Sequence, residues 1–141
     1  KTISYFSRML GLQNARSKRA AEALWFTNDN HLAEGCISSV FLVKEGRLLT
    51  PATDTPVLKG IARKTVIELA GENSIDCQEK PLTIEDLLGA EEVFLTNVVM
   101  EVMPVITVEQ HTVGEGKVGK ITKKISGLYK QYIEKQCGIR Q

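Results

Sequence analysis

With 141 residues, 43% of them hydrophobic and 25% charged, the chain has the size and composition of one folded domain and excludes a disordered one. Its net charge of +1 excludes the strong field that nucleic acid or an anionic membrane would call for, and no apolar run approaches the ~20 residues of a membrane-spanning helix. Cys36, Cys77 and Cys137 are an odd set without CxxC spacing, which points to buried free thiols in a reducing, cytosolic setting. Residues 2–20 read as a helix with Ile3, Phe6, Met9 and Leu10 on one face. "EALWFTN" (Glu22 to Asn28) reads as a strand closed by a turn at Asp29-Asn30. Ser38 to Lys44 and Arg47 to Thr50 form a hairpin across Glu45-Gly46, a loop with glycine in second place. Pro51 and Pro56 bracket a covering loop. From Gly60 the pattern turns helical, with Ile61, Val66, Ile67, Leu69 and Ala70 apolar and Gly71 as the stop.

"SIDCQEKP" alternates as a short strand, and Thr83 with Asp86 forms a capping box opening a helix over Ile84 to Leu88. "EEVFLTN" is a further strand, and "VMPVITVEQ" another whose Pro104 limits its ladder bonds. A last helix begins near Val118, with Ile121, Ile125, Leu128 and Tyr132 on one stripe. Strands and helices interleave throughout, so the class is mixed α/β, without repeats. The chain opens on Lys1 rather than Met, directly in an amphipathic segment, and is read as the C-terminal part of a longer protein or as a protein whose N-terminal part was not seen.

Few residues offer chemistry. His31 and His111 stand in no metal-ligand spacing, and Cys36 near His31 lacks a third orienting group. No Walker loop or GxGxxG is present. Gly60-Ile61-Ala62 at a helix start leaves N–H groups that suit an anion, and Thr96 to Met100 after a strand offers a second set of amides. Taken alone, a glycine before a helix is usually only a turn. Glu34, just before a strand, is either an exposed carboxylate at a hairpin edge or a buried one aimed at a ring nitrogen, which would keep that nitrogen protonated. Lys1 is either a solvated lysine or one that forms a Schiff base.

In their order these pieces are similar to a known family. "KTISYFSRMLGLQNA", "EALWF", "AEGCISSVFLVKEGRLLTP", "LKGIARKTVIELA", "EEVFLTNVVMEVMPV" and "GKVGKITKKI" together resemble the C-terminal domain of the fold-type IV pyridoxal-phosphate enzymes. That family includes branched-chain and D-amino-acid aminotransferases and aminodeoxychorismate lyases. The resemblance covers essentially all 141 residues. It implies an α/β fold whose mixed sheet curls into a pseudo-barrel flanked by helices. Residues 1–141 would form the cofactor-binding domain, with a smaller N-terminal domain absent from this chain.

The implied cofactor is pyridoxal 5'-phosphate. Lys1 matches the lysine that holds it as an internal aldimine and shuttles the proton at the substrate carbon. Glu34 matches the acid paired with the pyridine nitrogen, and Leu58 the residue packing on the ring face. Ile61 and Ala62 match the helix-start amides on the phosphate, and Asn97 and Val98 the second phosphate loop. Ser38 and Ser39 match positions along the cofactor's edge. The family also implies a small amino substrate, a homodimer, and an N-terminal domain that completes the site.

Three positions depart from the aminotransferase pattern. Ala62 and Val98 stand where threonine is usual, which removes two hydroxyl contacts of about 1–2 kcal/mol each, while the backbone amides survive. Ser39 replaces a frequent asparagine. "TNVVMEVMPV" is closer to the lyases than to the "EITPV" style of the aminotransferases. The leading expectation is therefore aminodeoxychorismate lyase, which eliminates pyruvate from 4-amino-4-deoxychorismate to give 4-aminobenzoate for folate. The alternative is a branched-chain or D-amino-acid aminotransferase, and the third a binding domain that kept the fold without catalysis.

Overall fold

The computed structural model describes residues 5–138. Its elements run α1 (Phe6–Ser17), β1 (Leu24–Phe26), β2 (Leu32–Gly35), β3 (Ser39–Lys44), β4 (Arg47–Thr50), α2 (Ile61–Glu72) and β5 (Cys77–Glu79). They continue with α3 (Ile84–Leu88), β6 (Glu92–Asn97), β7 (Glu101–Val105), β8 (Thr107–Val108), β9 (His111–Thr112) and α4 (Lys120–Cys137).

The β3–β4 hairpin seeds the sheet. Lys44 pairs with Arg47 across Glu45 and Gly46, whose φ values of 52° and 73° are the left-handed pair that a tight hairpin turn needs. Glycine takes the second position at no steric cost. On its other edge β3 pairs antiparallel with β6, and β6 with β7. The five-stranded sheet has the order β5-β4-β3-β6-β7, with β5 running parallel to β4. A parallel neighbour requires a crossover, and α2 supplies it. Pro104 sits on β7 at the sheet's edge, where a missing N–H donor is tolerated.

Both faces of the central strands are covered, so β3 and β6 read as nearly unbroken apolar runs. Phe41 and Phe94, paired in register, stack with ring centroids 5.0 Å apart under α2 and α4. Val40, Leu42, Val93 and Leu95 point the other way, onto Leu32, Leu82 and Leu87. The mixed α/β class and the flanking helices expected from the sequence are those of the molecule.

Several local expectations need correcting. In α1, Phe6, Met9 and Leu10 are 71%, 42% and 49% exposed, and the buried residues are Leu12 and Ala15. The docking face is Arg8, Gly11, Leu12 and Ala15, at helical spacing, because Arg8 must reach Glu34 and Gly11 must clear Trp25 and Cys36. Ile3 lies outside the described residues. Gly71 does not stop α2, which continues to Glu72 and ends at Asn73, whose side chain donates back to the Leu69 carbonyl at 2.9 Å. Ile61 is 75% exposed, whereas Arg63 and Thr65 are buried on that helix. Of the three thiols, Cys36 is buried, Cys77 intermediate and Cys137 exposed, all free. The α3 capping box has both of its hydrogen bonds. Among the described residues no helix is long and apolar enough to cross a membrane.

Candidate functional site

One end of the sheet gathers most of the candidates, and strand register explains why. Antiparallel pairing sets Ser39, the first residue of β3, opposite Thr96 near the end of β6. β4 ends beside them, where the Thr50 hydroxyl donates to the Val40 carbonyl at 2.8 Å. From there the chain loops through residues 51–60 to the start of α2. A helix start beyond the carboxyl ends of strands is where such sheets leave a crevice.

Buried Arg63 locks that start in place. Its Nη2 donates to the Pro51 carbonyl at 2.8 Å and to Glu79 at 2.6 Å, so the first turn of α2 is clamped to the ends of β4 and β5. Gly60, the N-cap, supplies no side-chain cap. The N–H groups of the first turn have no acceptor within the helix and carry the positive end of its dipole.

Glu34 is 1% exposed, within β2 opposite Trp25 and not ahead of a strand at a solvated edge. Its Oε1 accepts from Arg8 at 2.8 Å and its Oε2 from the Leu58 N–H at 3.0 Å. Arg8 is held in turn by the Gly35 carbonyl at 3.1 Å and by the Trp25 ring, 4.8 Å from its guanidinium carbon. A carboxylate offers about four lone-pair directions, so Glu34 keeps acceptor capacity beyond these two bonds.

The turn after Glu34 is built around Glu22. That carboxylate accepts from the Ala23 and Cys36 N–H groups at 3.1 Å, from Ile37 N–H at 3.3 Å and from the Ser38 hydroxyl at 3.0 Å. Gly35 is required here, since a β-carbon would collide with the Ser38 hydroxyl. Tyr5 donates its hydroxyl to the Cys36 carbonyl at 2.5 Å, and the Trp25 indole donates to Cys36 Sγ at 3.1 Å. Burial raises the Cys36 thiol above its ordinary value, with the indole bond opposing, so Cys36 is a packed thiol rather than a nucleophile.

Across the sheet end, Asn97 organises the β6–β7 loop. Its Oδ1 accepts from Val99 and Met100 N–H at 2.8 and 2.7 Å, and its Nδ2 donates to the Ile37 carbonyl at 3.1 Å. The side chain is thus committed to structure, and the loop offers a ligand its backbone.

Between these elements lies a cleft of about 330 Å³, lined by Ile37, Ser39, residues 58–63 and residues 96–98. The structure brings Ser39, Leu58, Ile61, Ala62, Asn97 and Val98 to one cavity. Glu34 stands behind its wall, joined through the Leu58 amide, and the Ser38 hydroxyl is turned away to Glu22. Lys1 lies outside the described residues. A second hollow of about 400 Å³ lies past Gly60 and Arg63, but Arg63 and Lys64 there are paired with Glu79 and Glu68.

The cleft has the polarity of an anion site: an uncapped helix start at one end, a buried carboxylate near the other, and an apolar Leu58 between. Class IV aminotransferases are the family whose sequence model describes this chain, and the match spans residues 1–108. The chain belongs to the aminotransferase class IV family. It is 35% identical over 126 residues to the branched-chain-amino-acid aminotransferase of Pseudomonas aeruginosa, covering 89% of this chain and 41% of that protein. To the D-alanine aminotransferase of Bacillus licheniformis it is 34% identical over 125 residues, covering 89% of this chain and 44% of that one. The solved branched-chain aminotransferase of Thermobaculum terrenum, in its PLP form, superposes with a TM-score of 0.87 at 29% identity, over 92% of this chain and 42% of its own. This class IV chain spans less than half the length of these relatives.

Arg8, Glu22 and Arg63, which brace Glu34, the turn after it and the α2 start, are the residues around the cleft that sequence reading missed. Only the buried-charge pattern could have flagged them: Arg8 opposes an apolar stripe, and Arg63 sits on the inner face of its helix.

Proposed function

We propose that this chain is the cofactor-binding part of a pyridoxal-phosphate aminotransferase, moving an amino group between an apolar amino acid, branched-chain or D-configured, and a 2-oxo acid. The observation that carries the reading is the pairing of the uncapped start of α2, which opens onto the cleft, with the buried, doubly held Glu34 directly behind the cleft wall. Leu58 binds Glu34 and Ile61 opens α2, so a short segment, turned where the Gly60 N–H donates to the Leu58 carbonyl at 2.8 Å, joins the two ends. The donor set suits the two ends of a pyridine ring that carries a phosphate ester.

Glu34 would hold the proton on the ring nitrogen, and Arg8 and the Leu58 amide fix its carboxylate in place. The Ile61 and Ala62 amides would bind the phosphate, joined by the backbone at Asn97 and Val98. Leu58 would pack on the ring and exclude water from it. Lys1 is the residue we assign to the covalent link and to moving the proton at the substrate carbon. When bound, the cofactor supplies an electron sink for a carbanion next to the imine.

The names of the relatives favour the aminotransferase over the lyase expected from the sequence. Ala62 and Val98, which suggested a lyase, lie in the phosphate cradle, where backbone amides bind whether or not a hydroxyl is present. They do not discriminate between substrates. A dimeric assembly and a smaller domain closing the site belong to the same proposal.

The test is borohydride reduction in the presence of pyridoxal phosphate, with peptide mapping, followed by assay of leucine, isoleucine, valine and D-alanine with 2-oxo acid acceptors. The expected result is a label on Lys1 and amino transfer that depends on the acceptor. No label, or pyruvate released from 4-amino-4-deoxychorismate without any acceptor, would overturn the reading.

A further inference from the structure

Ser39 is 7% exposed and lines the cleft, yet its hydroxyl has no hydrogen-bond partner among the described residues. It lies on the face of β3 that carries Phe41 and Val43 toward α2. Its Oγ is 3.6 Å from where a β-carbon on Gly60 would stand, directly at the uncapped start of the 12-residue helix α2. The hydroxyl therefore opens onto the cleft, where a ligand can receive its hydrogen bond.

Among the described residues Lys59 also lines the cleft, as a cation without an ion pair, while the remaining polar side chains around it are committed. The Thr96 hydroxyl donates to the Glu101 carbonyl at 2.6 Å, the Ser38 hydroxyl donates to Glu22, and the Asn97 amide holds its own loop and the Ile37 carbonyl. Ala62 and Val98 have no hydroxyl to give. Among the described residues Ser39 is therefore the one hydroxyl of the cleft wall that faces the helix start and remains available.

We propose that Ser39 donates its hydroxyl to the phosphate group bound at the α2 N-terminus, taking over from the side chains absent at positions 62 and 98. This rests on the cofactor reading above and assigns Ser39 to the phosphate instead of the ring edge. The bond is charge-assisted and short-range, so its loss is read as about a tenfold drop in affinity.

Equilibrium dialysis of pyridoxal phosphate, and of pyridoxal as the probe without a phosphate, measures this apart from catalysis. Ser39→Ala is expected to weaken pyridoxal phosphate about tenfold and to leave pyridoxal unchanged. Adding Ala62→Thr to that variant is expected to restore the affinity. Ser39→Thr, which keeps the hydroxyl in a residue suited to a strand, is expected to stay within about twofold of the parent. If Ser39→Ala changes both affinities equally or neither, or if Ser39→Thr loses as much as Ser39→Ala, the assignment to Ser39 is wrong. If the parent binds neither compound, the cofactor reading fails with it.

Discussion

Glu34 owes its position to residues far away in the chain: Arg8 precedes it by 26 positions and Leu58 follows it by 24. The motif around Glu34 was legible in the sequence, but its burial was not, because nothing local distinguishes a solvated Glu-Gly from one closed over by a distant arginine. Ser38 and Ser39 show the same limit. They are adjacent and alike, and only strand alternation and the reach of Glu22 send one hydroxyl to a carboxylate and leave the other in the cleft. At this scale the thiols give a pH prediction. Burial pushes Cys77 up to about 11 from its ordinary 9.0. A folded value above the unfolded one means stability that is complete below pH 9 and is lost as pH rises toward 11. Urea midpoints should therefore fall across that interval, and Cys77→Ala should flatten part of the fall. Parallel curves for the two proteins would contradict the assignment.

Elements with local chemistry were the ones the sequence made readable. The Glu45-Gly46 hairpin, the α3 capping box and the amphipathic α4 each depend on residues a few positions apart, so pattern and structure agree. Thr83 accepts from the Asp86 N–H at 3.3 Å while its own N–H donates to Asp86 at 3.1 Å. Thr83→Ala should cost about 1 kcal/mol in chemical denaturation, with the slope of the transition unchanged. A loss below a few tenths would mean that α3 is held by Leu87 packing alone. The misread elements were those set by tertiary contacts. α1 was assigned its apolar stripe, yet it docks through an arginine and a glycine. β2 (Leu32–Gly35) was not distinguished as a strand, since its alternation is broken by a glutamate whose partner is distant.

Across the whole molecule, one end of the sheet collects β3, β4, β6 and the α2 start, and the candidate cofactor site follows from that convergence. The order of motifs along the chain was enough to read this family and fold, because each block marks an element of that sheet end. The choice between lyase and aminotransferase was not legible, since the departing residues line the α2 end of the cleft, where the proposal puts the phosphate rather than the substrate. Around the cleft Ile61, Val98 and Val99 remain 75%, 68% and 85% exposed, so the mouth of the site is apolar, in keeping with an apolar substrate or a covering domain. The central claim is that Glu34 and the α2 start are the two ends of one pyridoxal-phosphate site. A crystal structure with pyridoxal phosphate tests it most directly. The account predicts the ring nitrogen within hydrogen-bond distance of Glu34 and the phosphate on the Ile61 and Ala62 amides. A phosphate bound elsewhere, or a ring nitrogen facing away from Glu34, would contradict it.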